Sequence, residues 1–292
     1  MNIINALLYY LVILPISILP FFILYGLSNF LFFVFYYVIG YRKKVIVGNI
    51  QRSFPNKSTA EQIEISRLFY RHFCDLIVES LKAFSISRKE VLKRVICNNP
   101  EVIDKYYDAN KSVVIAGGHY NNWEIMAVAI NMLLKHNVSG IYKPLSNNYF
   151  DKKMRKTRMK YGLHMLPTKE VKEYFEKNKT NLIAPLFATD QSPSNPDNCY
   201  WTTFLKQDTG VLFGVEKYAV EYNYPVVYGR INKVKRGHYT IDFYDVTDTP
   251  QETAYGEITE KITQLLEKDI NHLPQYWLWS HRRWKHKRPN NK

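Results

Sequence analysis

The chain has 292 residues, and 40 Lys and Arg against 26 Asp and Glu give it a formal charge of +14, which excludes an acidic solubilising protein. Hydrophobic residues make up 46% and aromatic residues 15%, which excludes a disordered chain and leaves ample material for a core. Cys74, Cys97 and Cys199 stand far apart, with no Cys-x-x-Cys or Cys/His ligand spacing. Neither a disulfide framework nor a zinc site is expected, and the thiols should be reduced in a cytosol-facing domain.

Positions 1–41 contain no Asp, Glu, Lys, Arg or His. A fully helical stretch of that length would be roughly 60 Å long, about twice the hydrocarbon thickness of a bilayer. Pro15 and Pro20, and then Gly26 through Asn29, are expected to interrupt it. The reading is a short interfacial or kinked helix followed by a span near Phe21 to Gly40. No basic residue precedes the apolar run and no small-residue cleavage site follows it, so a retained anchor is expected rather than a cleaved signal peptide. Arg42, Lys43 and Lys44 follow directly, which by the positive-inside rule places the remainder on the cytoplasmic side. The division is an anchor over 1–44 and a single cytoplasm-facing domain over 45–292.

Residues 53–92 carry a helical pattern, with Ile63, Leu68, Phe69, Phe73, Leu76, Ile77 and Leu81 at spacings of three and four, and Ser58 or Thr59 to cap its start. A β/α alternation follows: a buried strand at 112–116, a helix at 121–135, a strand at 138–143, a basic helix at 149–161, a short strand at 163–167, a helix at 169–178 and a strand at 181–187. After a Ser/Pro/Asn loop, a helix near 211–222 leads into two paired strands, 225–234 and 238–246, joined through Arg236 and Gly237, and a final helix runs from Gln251 to about Leu273. The fold class is therefore α/β: a single mostly parallel sheet flanked by helices, with an N-terminal hydrophobic membrane-anchor helix.

The most informative string is AGGHYNNWE, 116–124. Gly117 and Gly118 let the backbone turn at the end of a strand, so His119 stands at a strand's carboxyl end, where open α/β sheets place ligands. Asn121 or Asn122 caps the next helix and puts Glu124 in its first turn, five residues after His119. Such a pair suits general-base catalysis, the carboxylate accepting Nδ1–H while Nε2 takes a hydroxyl proton. The same spacing also fits a helix N-terminus with a satisfied histidine. No Ser or Cys sits in a nucleophile elbow, so direct transfer to a hydroxyl is expected.

The strings GGHYNNWE, YKPLSNNYFDKKMRKTRMKYG, ATDQSP and PQYWLWSHRRWKHKRP, together with YRKKVIVGNIQRSFP after the anchor, resemble the late acyltransferases of lipid A biosynthesis, the lauroyl/myristoyl group of the lysophospholipid acyltransferase superfamily. The resemblance runs in order from the anchor to the C-terminus. It implies acyl transfer from acyl carrier protein to a hydroxyl on a phosphorylated glycolipid at the cytoplasmic face of the bacterial inner membrane, with no cofactor, no metal and no nucleic acid.

On the same resemblance His119 is the general base and Glu124 its orienting partner. Glu in place of the superfamily's commoner Asp is similar to the lipid A branch. Asp190 and Gln191 line the site, Arg158 holds an acceptor phosphate or shapes the site, with a solvated basic face as its alternative, and Thr202, Thr203, Phe204 and Gly210 lie in a segment covering the site; Asn122 and Lys143 are further substrate-binding candidates, and Arg282 and Arg283 are expected to meet phosphate or carrier protein unless they form a plain basic tail. Asp190 and Gln191 follow a strand and should share the sheet edge of His119, and Asp190 alternatively caps a loop. Trp277, Trp279 and Trp284 are expected near lipid headgroups, and the other histidines in core or surface roles. Three rivals stand beside this reading: transfer to another hydroxylated membrane lipid (an aminolipid or phosphoglycolipid), a metal-dependent phosphoesterase using His119, Glu124 and Asp190 as ligands, and a catalytically silent glycolipid-binding protein.

Overall fold

The computed structural model describes residues 2–289. Seven strands form one sheet: β1 (Val95–Cys97), β2 (Val114–Gly117), β3 (Asn137–Tyr142), β4 (His164–Pro167), β5 (Ile183–Ala188), β8 (Val226–Lys235) and β9 (His238–Thr247), in the spatial order β1-β9-β8-β2-β5-β3-β4, while β6 (Tyr200–Phe204) and β7 (Gln207–Val211) make a separate antiparallel hairpin. Every pairing in the large sheet is parallel except β8 with β9, whose tight turn places Gly237 at φ 73°. The fold class is thus the one expected.

Because side chains alternate across a strand, the sheet separates two apolar layers. Val114 and Ala116 of β2 face one, with Tyr228, Leu266 and Trp277. Val113 and Ile115 face the other, with Ile125, Ala129 and Val227. β2 lies mid-sheet, buried on both faces, which explains its unbroken apolar run.

The long helical pattern resolves into pieces. Helix Thr59–Ala83 starts in a capping box, with Ser58 Oγ accepting from Glu61 N at 3.3 Å and Glu61 Oε2 accepting from Ser58 N at 2.8 Å. A second helix, Arg88–Arg94, restarts with Ser87 as its cap. The helices Lys43–Ser53 and Glu101–Asp108, strand β1 and the β6–β7 hairpin carry no signal that the sequence reading used. The hairpin turns on Leu205 and Lys206, both at positive φ, where Asn-Gly would have been legible.

In the apolar segment the chain breaks at Pro20 and continues as helix Phe21–Phe33 and a π-turn over Val34–Val38. Phe21–Val38 is the one described helix long and apolar enough to cross a membrane. The expected interruption at Gly26 through Asn29 is absent, because these residues serve a contact instead. The helix packs along Thr59–Ala83, with Ser28 Oγ donating to Asp75 at 2.7 Å and Tyr25 OH donating to Glu79 at 2.9 Å. Arg236 bonds both Asp75 and Asn29. The opposite face leaves Phe22, Phe30 and Phe33 exposed.

Candidate active site

β2 and β5 are parallel neighbours with Gly117 opposite Ala188, so the residues after both strands emerge on one sheet edge. Thr189 N donates to Gly117 O at 2.9 Å, and His119, Asp190 and Gln191 come together there. Gly118 gives close packing at this crossing, since a Cβ would stand 2.9 Å from both Leu266 methyls, which would have to shift, and 3.4 Å from Asp190 Cγ.

His119 Nδ1 lies 2.7 Å from Asp190 Oδ1, and the His119 backbone N–H donates to Asp190 Oδ2 at 2.8 Å. Trp277 Nε1 donates to that same oxygen, also at 2.8 Å. Three donors on a buried carboxylate stabilise its charged form. Burial alone would raise the Asp190 pKa, but His119 and these hydrogen bonds outweigh it and bring it down to about 2. For His119 burial pushes the pKa down, and Asp190 outweighs it, so the imidazole titrates above its usual range. A carboxylate on Nδ1 fixes the proton there and leaves the Nε2 lone pair outward, where its partner is the Gln191 amide nitrogen at 3.2 Å. The Trp123 ring meets the imidazole edge-on.

The partner of His119 is therefore Asp190, and the expected hydrogen bond to Glu124 is corrected. Glu124 is engaged by Arg158 in a fork, with Nη2 to Oε1 at 2.6 Å and Nε to Oε2 at 3.0 Å. A two-bond guanidinium contact at low exposure holds the carboxylate, and from there Glu124 acts on His119 only through its charge. The same fork occupies Arg158, which tethers the basic helix Asn148–Arg158 to the start of helix Trp123–Leu133.

The other expected contact residues divide by burial. Asn122 is fully buried: its Oδ1 caps the helix by accepting from Ile125 N at 3.0 Å, and its Nδ2 donates to Glu79. Arg283 is also buried, with Nη2 donating to Gly210 O at 2.8 Å, and burial pushes its pKa down to about 10. Arg283 also lines a small cavity with Asp190, Phe204 and Leu266. Lys143 is exposed and reaches Ser194 Oγ at 3.2 Å, and Arg282 is exposed as well.

Trp277 and Trp279 are buried rather than at headgroup level, because their indole N–H groups serve Asp190 and Pro274 O. Trp284 is half-buried on Thr209. Trp277 and His281 are the site residues that sequence reasoning missed. His281 Nε2 accepts from Ser192 N at 3.0 Å, and burial pushes its pKa down to about 4, so it stays neutral with its ring nitrogen in use. The signal was present in SHRRW, but the segment's aromatic and basic composition read as an interface. Among the described residues no three His, Cys, Asp or Glu side chains gather as a metal site, and Glu124, held by Arg158, does not join His119 and Asp190 as a third ligand.

A His–Asp pair at a sheet edge occurs in many enzymes, and the comparison that decides among them covers nearly the whole chain. The family model for bacterial lipid A biosynthesis acyltransferases matches residues 2–286. The chain belongs to that family. Comparison with curated proteins gave no match. Membership makes the protein an acyltransferase of lipid A biosynthesis, with an acyl donor and a lipid acceptor. This family is membrane-associated, in keeping with the apolar helix Phe21–Val38.

Proposed function

We propose that this lipid A acyltransferase moves a fatty acyl chain from acyl carrier protein to the hydroxyl of a 3-hydroxyacyl chain on a lipid A precursor, at the cytoplasmic face of the inner membrane. The observation that carries the reading is the Nδ1 contact of His119 to Asp190, which leaves Nε2 with a neutral amide as its partner. In this reading His119 Nε2 accepts the acceptor's hydroxyl proton as the oxygen attacks the thioester carbonyl carbon. Asp190 holds the tautomer and stabilises the imidazolium. The C–S bond then breaks, an ester C–O bond has formed, and the departing thiolate recovers the proton from Nε2. No acyl-enzyme is required, in keeping with the absence of an elbow nucleophile in the sequence.

Glu124 and Arg158 are positioning residues in this scheme: their fork fixes the entry helix beside His119. The apolar segment supports a site at the bilayer surface, and the +14 charge favours encounter with an acidic carrier protein and a phosphorylated lipid. The test is incubation of the detergent-solubilised full chain with acylated carrier proteins of several chain lengths and a tetra-acylated lipid A precursor, read by mass spectrometry. A product one acyl chain heavier, lost in His119→Ala, is the expected result. A folded wild type that makes none, or a variant that makes as much, overturns the proposal.

A further inference from the structure

At the end of the apolar segment the chain turns through Gly40 and Arg42, both in left-handed backbone with φ 58° and 52°, and enters helix Lys43–Ser53. This turn and one residue from the C-terminal segment wall a cavity of about 470 Å³, lined by Gly40, Arg42, Lys43, Lys44, Val45 and Arg282. Four of the six are cations. Among the described residues no carboxylate forms an ion pair with any of them. Arg42 spends one nitrogen on Ser280 O at 2.8 Å, which keeps the turn and the C-terminal segment together.

Like charges gathered around one concavity repel until an anion enters it. Position says which anion. Tyr37, Val38 and Ile39, immediately before the turn, are each more than half exposed and belong in hydrocarbon, so the cavity opens at headgroup level. An open recess walled by cations at that level faces the phosphate groups of the surrounding lipids. The chain links the recess to the site. Arg282 follows His281, whose ring accepts from Ser192 N, two residues beyond Asp190.

We infer that this cavity is a receptor for the phosphate-bearing headgroup of a membrane lipid. Two membrane lipids offer that chemistry, the phosphorylated acceptor and the anionic phospholipid of the bilayer. Assigning it to the acceptor rests on the proposed function, whereas phosphate recognition itself does not.

The experiment is native mass spectrometry of the full chain in neutral detergent, offered phosphatidylcholine, phosphatidylglycerol or a diphosphorylated tetra-acylated glucosamine disaccharide. Wild type is compared with Lys43→Gln/Lys44→Gln/Arg282→Gln, three exposed positions, and with His119→Ala. The wild type should retain one or both anionic lipids over phosphatidylcholine, and the triple variant should lose that preference by about 10- to 100-fold while His119→Ala keeps it. A loss confined to the glycolipid identifies the acceptor as the source, and an equal loss for phosphatidylglycerol identifies the bilayer. Unchanged retention in the triple variant, or an equal loss of all three lipids, overturns the inference. Because retention needs no turnover, a chain that binds glycolipid without acylating it refutes the proposed reaction and leaves the receptor standing.

Discussion

Replacing Asp190 with Asn should stop acyl transfer while leaving the chain folded. The carboxylate accepts from His119 Nδ1, His119 N and Trp277 Nε1 at 2.7, 2.8 and 2.8 Å, and an amide offers one accepting oxygen in place of two. With its oxygen kept on the two N–H donors, the amide turns its NH₂ to Nδ1 and the charge-assisted contact to the imidazolium is lost, at a cost of about 1–3 kcal/mol. The pKa offers a second route to the magnitude: a fall from 3.8 to about 2 corresponds to roughly 2 kcal/mol of preference for the ionised carboxylate in the folded state.

Catalysis should suffer more than stability. The amide NH₂ facing Nδ1 would favour the tautomer with its proton on Nε2, and an orienting carboxylate lost in this way costs about 10³–10⁴ in kcat, as the serine-protease triad shows. Glu124→Gln keeps the Asp190 contact and loses only one charge of the Arg158 fork, so its effect should stay within about 10-fold. The assay is initial-rate transfer for both variants, with thermal unfolding alongside. Asp190→Asn retaining more than a tenth of the wild-type rate, or Glu124→Gln falling as far as Asp190→Asn, would refute the assignment of Asp190 as the partner of His119.

On the proposed mechanism the acid limb of the wild-type rate profile should lie above the ordinary imidazole value of 6.5, because the folded His119 pKa is raised and a general base acts in its neutral form. In Asp190→Asn burial is opposed only by the charge of Glu124, and the limb should move to lower pH. Stability has two limbs. A raised histidine contributes below 6.5 and loses that contribution as pH rises through its folded value, whereas a lowered carboxylate contributes above 3.8 and loses it as pH falls through about 2. The melting-temperature gap between wild type and Asp190→Asn should thus be widest between these two values and narrow on both sides, and a gap independent of pH would contradict the ion pair. Gly118→Ala should cost about 1–3 kcal/mol through its clash with Leu266 and lower the rate by displacing His119, and Leu266→Ala in the same chain should restore much of the rate. Arg158→Met leaves Glu124 half-buried without its fork and should destabilise by about 1–3 kcal/mol, visible as a lower melting temperature. Tyr25→Phe removes one of the donors to buried Glu79 and should cost about 1 kcal/mol in detergent.

Much of the architecture was legible locally. The β/α alternation, the apolar segment and the histidine after Gly117–Gly118 are patterns of neighbouring residues, and local patterning is what propensity and periodicity encode. β1 was not legible, since three residues with one exposed carry no period. The β6–β7 hairpin was missed because Leu205 and Lys206 hold positive φ without a turn residue's chemistry. Gly26 through Asn29 read as breakers because their use is tertiary: Ser28 meets Asp75, 47 residues away.

The site divides along the same line. His119, Glu124 and Arg158 are identifiable from their strings, and so is the shared sheet edge of His119 and Asp190, because parallel strands deliver their carboxyl ends together. Which carboxylate takes Nδ1 was beyond sequence. Glu124 is five residues away and Asp190 seventy-one, and spacing favours the nearer. Strand pairing of β2 with β5 decides otherwise, bringing Asp190 against the imidazole while Arg158, from another helix, draws Glu124 aside. Sequence by itself determined the kinds of chemical groups, their order and the secondary elements that carry them. Only the tertiary structure decided the partners, because a hydrogen bond is selected by distance and direction in space, and chain separation measures neither.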